Sequence, residues 1–165
     1  METSRSDIAR LFQMLSEAGP WKFEAVPQGS DPLYWVGKRY LEGGSRRSKI
    51  TLYAGISQPC LSFQVPLVVM VPPRALAAVQ DYVLKLNSHI KLAKFSLDDH
   101  GHLHLMAELL LETASLATLS AYLEALQNYF EGHIAELEAL AQNTELAPLW
   151  EGLFIKHLMV DLEEA

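Results

Sequence analysis

The sequence predicts a single α+β domain: a mainly antiparallel, twisted sheet flanked by helices. Three observations carry this expectation. Strand-like runs come in blocks joined by short turns, amphipathic helical segments stand before, between and after those blocks, and half of the 165 residues are hydrophobic while 20% are charged. Such a composition disfavours disorder. Blocks of strands with hairpin turns favour antiparallel pairing with helices packed against the sheet. A chain of this length can bury roughly 70% of the surface that it exposes when unfolded, so one domain over residues 1–165 is the economical reading.

Ile8, Leu11, Phe12 and Leu15 recur at helical spacing and predict a helix over 6–18, capped by Ser4 or Ser6 and stopped by Gly19-Pro20. Four strands are expected next. Trp21, Phe23 and Ala25 alternate with Lys22, Glu24 and Val26, and the run 33–41 is rich in aromatic and β-branched residues. A Gly43-Gly44 turn leads to the cleanly alternating Ile50, Leu52, Ala54 and Ile56. Gln58-Pro59 then turns the chain into a strand over 61–70. Pro66 has no N–H to donate, so that strand is expected to lie at an edge or to bend there.

Pro72-Pro73 opens a second helix with the stripe Leu76, Val79, Val83 and Leu86. Segments 91–98 and 102–111 read as a hairpin around Asp99-His100-Gly101, with Leu103, Leu105, Ala107 and Leu109 turned inward. Ser115 caps a long helix with Leu116, Leu119, Leu123, Leu126 and Phe130 on one face, extended by Ile134, Leu137 and Ala141. A last amphipathic segment over 148–158 carries Trp150, Leu153, Phe154 and Leu158, and an acidic tail over 161–165 is expected to fray. The expected order is α-β-β-β-β-α-β-β-α-α.

The net charge of −7 disfavours nucleic acid as a partner. The basic residues are unevenly placed: Lys38, Arg39, Arg46, Arg47 and Lys49 cluster near one turn. Cys60 is the lone cysteine, which fits a reducing compartment. The first ten residues are polar, and the longest apolar stretch, 65–71, is broken by Pro66 and far short of the ~20 residues that span a bilayer. A cytoplasmic location without a membrane partner is expected.

The sequence contains no G-x-S-x-G elbow, no G-x-G-x-x-G and no P-loop. The strongest polar cluster is Asp98-Asp99-His100-Gly101-His102-Leu103-His104. His102 and His104 leave one face of a strand, and with His100, Asp98 or Asp99 they form a conceivable set of metal ligands or the polar centre of a small enzyme. The plainer reading is a capped hairpin with histidines on its wetter face. Cys60, between Pro59 and an apolar strand, reads as structural. Glu108 and Glu112 lie about 13 Å apart if the strand continues, too far for a coupled acid–base pair. Arg46, Arg47 and Lys49 read as a solvated hairpin tip, with an anion-binding regulator as the alternative.

Apolar surface remains in surplus. Trp21, Trp35, Trp150, Tyr34, Tyr40, Tyr53 and Phe154 exceed what one face of a small sheet needs, and strand 33–41 is apolar on both faces. Either helices cover both faces or a second chain does.

The stretch 83–137 resembles the YbjN-type bacterial domain family. The resembling features are Leu86-Asn87 closing the second helix, Lys94-Phe95-Ser96-Leu97-Asp98, Asp99-His100-Gly101-His102-Leu103, the apolar strand 105–111 and the helix from Leu116. The resemblance implies a fold like that of the type III secretion chaperones, often homodimeric, which bind extended client segments. It brings no catalytic residues, and segment 148–158 matches nothing in the family core. The expectation is therefore a non-enzymatic protein-binding module, chaperone-like or regulatory, homodimeric, with no cofactor or metal. Tyr34, Trp35, Trp150 and Phe154 are the expected partner-binding residues.

Overall fold

The computed structural model describes residues 4–26, 34–40 and 49–142. Helix α1 spans Arg5–Ala18. Of the two candidate caps it uses Ser4, whose Oγ accepts from the Asp7 N–H at 3.3 Å while the Asp7 carboxylate accepts from the Ser4 N–H at 3.0 Å. This reciprocal pair satisfies two donors that the first turn leaves open. Its bonds to Ser4 also hold the Asp7 carboxyl below the usual range. The helix ends where the extended Gly19 donates its N–H to the Leu15 carbonyl.

Strands β1 (Lys22–Val26), β2 (Tyr34–Tyr40), β3 (Lys49–Ser57) and β4 (Cys60–Met70) follow. A 3-10 turn, Pro73–Ala75, leads into α2 (Leu76–His89), so the proline pair begins the helix one turn early in tighter form. Strands β5 (Lys94–Leu97) and β6 (His102–Leu110) form the expected hairpin, and α3 (Leu116–Gln142) follows with Ser115 Oγ accepting from the Thr118 N–H. All pairings are antiparallel and the strand order is β1-β2-β3-β4-β6-β5. The expected helix over 148–158, the tail and the turn 42–45 lie outside the described residues.

Side chains alternate across each strand. Ile50, Leu52 and Ala54 of β3, Leu61, Phe63 and Val65 of β4, and Leu103, Leu105, Ala107 and Leu109 of β6 are buried on one face. There α1 packs on β1, α3 on β4 and β6, and α2 on β5. Val79 and Val83 of α2 and Leu119, Leu123, Leu126 and Leu137 of α3 complete the core. Among the described residues no helix covers the other face, so the surplus apolar side chains of β2 are not shielded from both sides by these helices.

Pro66 bends an interior strand rather than marking an edge. The two-residue connection at Gln58-Pro59 makes Ser57 and Cys60 partners, and alternation then aims the backbone groups of Cys60, Ser62, Gln64 and position 66 at β3. Pro66 has no N–H for that bond. Pairing with β3 ends at Gln64, and the register with β6 shifts between Pro66 and Met70.

Candidate partner-binding site

Among the described residues the edge strands of the sheet are β1 and β5. An edge strand directs every second residue's N–H and C=O away from the sheet, where they can pair with another chain. At β5 the outward residues are Phe95 and Leu97, and Phe95 is closed on both counts. Its N–H donates to Asn87 Oδ1 at 2.9 Å, and its carbonyl accepts from Asn87 Nδ2 at 2.9 Å. One amide side chain from α2 thus stands in for a neighbouring strand. Lys94 Nζ reinforces the contact by donating to the carbonyls of Asn87 and Ile90.

At β1 the closure is partial. The Phe23 N–H donates to Ser16 Oγ at 2.9 Å, which shows that Phe23 points away from β2. Ser16 in turn donates to the Phe12 carbonyl at 2.9 Å. By alternation the Phe23 carbonyl and both backbone groups of Ala25 also face outward. Among the described residues nothing bonds to them.

A groove of about 360 Å³ runs beside this edge, with an apolar part formed by Ala9, Phe12, Phe23, Ala25 and Trp35 and a polar part formed by Gln13, Ser16 and Glu17 of α1. The Phe12 ring lies 4.6 Å from Phe23 and 4.8 Å from Trp35. Gly37, opposite Phe23 in the ladder, keeps the Phe23 ring in place, because a Cβ at position 37 would sit 2.4 Å from Phe23 Cε1.

Trp35 is therefore not an exposed aromatic. It is 3% exposed and forms the floor between α1 and β2, as Trp21, at 4%, fills the space before β1. Their own helix shields them, because Phe12 and Leu15 of α1 lie directly over this end of the sheet. Tyr34 faces the other way. It is 47% exposed on the helix-free face, where Tyr53 is 49% exposed and Val36 pairs directly with Tyr53. Met106 and Leu110 are exposed on the same face. Trp150 and Phe154 lie outside the described residues, as do Arg46 and Arg47.

The polar cluster closes the β5–β6 hairpin. Asp98 Oδ1 accepts from the N–H groups of His100 at 2.9 Å and His102 at 2.8 Å, and Oδ2 meets His102 Nδ1 at 3.1 Å and His104 Nε2 at 3.4 Å. Gln64 Nε2 stands 3.0 Å from His104 Nδ1. The His102 N–H is the largest influence holding the Asp98 carboxyl far below its usual range, against a smaller opposing effect of partial burial. Gly101 adopts a φ of +82°, and a side chain there would meet the Val71 carbonyl at 2.7 Å. Among the described residues no group of three or more His, Cys, Asp or Glu side chains is placed to hold a metal ion. The separations around Asp98 are hydrogen-bond lengths.

Cys60 is a half-buried free thiol at the start of β4. Strand β6 ends at Leu110, so Glu112 lies in the 3-10 turn Leu111–Thr113, and both it and Glu108 are exposed. Ser16, which takes the Phe23 N–H, was not singled out by sequence reasoning, and Asn87, which takes both groups of Phe95, was named only as part of the pair closing the second helix. The available signal was weak: a polar residue in the last turn of each of two helices that lead into edge strands.

No protein-family model and no curated protein matches the chain. Among solved structures the chain is similar to the ExsC-ExsE complex, at 15% identity over 81% of this chain and 95% of that one, with a TM-score of 0.49. It is also similar to the heterodimeric ExoU-SpcU complex from the type III secretion system of Pseudomonas aeruginosa, at 23% identity over 64% and 83%, with a TM-score of 0.44. Likeness at this level concerns the arrangement of sheet and helices alone. No helix among the described residues is long and apolar enough to cross a membrane.

Proposed function

We propose that the protein is a non-enzymatic protein-binding module, chaperone-like or regulatory in role and cytoplasmic, that receives an extended partner segment as an added strand beside β1. The observation that carries this reading is the outward Ala25, with its N–H and C=O free among the described residues beside the apolar part of the groove. Strand addition draws affinity from main-chain bonds and specificity from pockets for alternate side chains. A partner residue paired with Ala25 would exchange two hydrogen bonds with it. Its side chain would fall on the helix side of the sheet, into the groove between Phe12 and Phe23.

The exposed Tyr34, Tyr53 and half-buried Val36 on the helix-free face support a second element of the proposal: two copies associate there. Tyr34→Lys should then shift a dimer to a monomer in light scattering. A wild-type chain that stays monomeric at high concentration would remove this element and leave the first intact.

The strand-addition reading is tested with peptides selected from a displayed random library against the full chain. Ala25→Pro deletes the outward N–H without removing a bond to β2. Selected peptides should protect the Ala25 amide from hydrogen exchange and bind the variant on the order of tenfold or more weakly, at a similar melting temperature. Peptides that bind both forms equally, or that protect amides elsewhere, would refute it.

A further inference from the structure

We infer that the cleft between the end of α1, β2 and α3 is a binding site for a carboxylate group that carries a hydrogen-bond donor beside it. The cleft holds about 340 Å³ and lies on the opposite side of α1 from the groove at β1. This is the size range of small-ligand sites. It is independent of the proposed strand-addition site.

Arg39 of β2 lines it, and the Arg39 Nε is buried without a hydrogen-bond partner. A charged N–H withdrawn from water and left without an acceptor is unfavourable, and such groups are rare in folded proteins. The guanidinium edge formed by Nε and one terminal nitrogen takes a carboxylate through two parallel bonds. Arg39 makes no ion pair with Glu124, although that residue lines the same cleft. The two opposite charges are therefore both offered to a ligand rather than to each other.

The α3 wall supplies Ser120, Glu124, Gln127 and Asn128 on one helix face. Gln127 Nε2 donates to Glu131 at 2.7 Å, while Ser120 and Asn128 contribute further polar groups. Glu124 selects for a donor next to the carboxylate and disfavours doubly charged anions. Leu15, Trp21 and Leu123 give apolar walls for the remainder. This pattern fits an amino acid or hydroxy acid, or the free C-terminus of a peptide.

The test observes the Arg39 Nε–Hε signal by NMR in the full chain, with acetate, alanine, trialanine and trialanine amide as probes. The signal should move saturably with the three acids and not with the amide, and alanine should bind more tightly than acetate. Trialanine binding above alanine identifies a peptide terminus, and the reverse order a small acid. In the Arg39 variants, which lack the guanidinium Nε–Hε, the indole N–H of Trp21 in the cleft wall serves as the readout, and Arg39→Lys should weaken binding on the order of tenfold or more. Glu124→Gln should erase the preference for alanine over acetate. The inference is overturned if the Arg39 signal ignores all acids, if the amide, chloride or inorganic phosphate binds as well, or if a folded Arg39→Met variant binds like the wild type.

Discussion

At β5 a single asparagine turns inward from α2 and takes both outward backbone groups of Phe95, whereas at β1 a serine from α1 takes one N–H and leaves Ala25 untouched. Both edges belong to one sheet and carry the same repeating donors and acceptors. The difference lies in reach and valence. An amide side chain offers one donor and one acceptor in a plane and can imitate a strand, while the Ser16 hydroxyl spends its donor on the Phe12 carbonyl and has only acceptance left for β1. Natural sheets protect their edges against unwanted pairing. Leu97 of β5 also keeps outward backbone groups without a partner among the described residues, so what sets β1 apart is the groove beside its open Ala25.

The comparison breaks most visibly at Asn87. Asn87→Ala should leave the N–H and C=O of the 3%-exposed Phe95 without partners, at a loss of about 1–3 kcal/mol in urea unfolding and with faster exchange of the Phe95 amide. Asn87→Asp keeps the acceptor and loses the donor, so it should fall between the two. An Asn87→Ala variant as stable as the wild type would show that the side chain does not close the edge.

A smaller effect is expected at the other edge. Gly37→Ala places a methyl group 2.4 Å from Phe23 Cε1, and the ring must turn outward. The expected loss is about 1 kcal/mol, at the low end for overpacking, because Phe23 stands at an edge and can move. The same motion should deform the groove and weaken peptides selected on the wild type. Unchanged peptide binding in Gly37→Ala would separate the groove from the edge.

The smallest effect is electrostatic. Asp98 has its carboxyl held far below the ordinary value in the folded chain. Its contribution to stability is therefore complete above the usual aspartate range of about pH 4 and is lost as the pH falls through that range towards the folded value. The melting temperatures of the wild type and Asp98→Asn should differ at neutral pH and converge as acid is added. A constant difference would mean that the hairpin does not depend on the charge.

Much of the architecture was legible because its causes are local. The period of Ile8, Phe12 and Leu15, the cap at Ser4 and the stop at Gly19 delimit α1 within a residue. Asp98 to His102 reads as a turn because a carboxylate facing two N–H groups and a glycine at positive φ need no distant partner. Pro66 announced an irregularity, but whether it meant an edge or a bend depended on a strand forty residues away. The burial of Trp35 was not legible for a similar reason. Alternation along β2 gives it a face, yet only the packing of Phe12 over it makes that face the interior.

By itself the sequence determined the fold class, the hairpins and the inward faces, since hydrophobic period and turn chemistry act over a few residues. The tertiary structure alone decided which outward backbone groups of the sheet are closed, which aromatic rings are hidden and where Arg39 is left without an acceptor. Each of these depends on a side chain from one element meeting the backbone or ring of another. No local spacing encodes such a meeting, because the outcome depends on how the helices dock across the finished sheet.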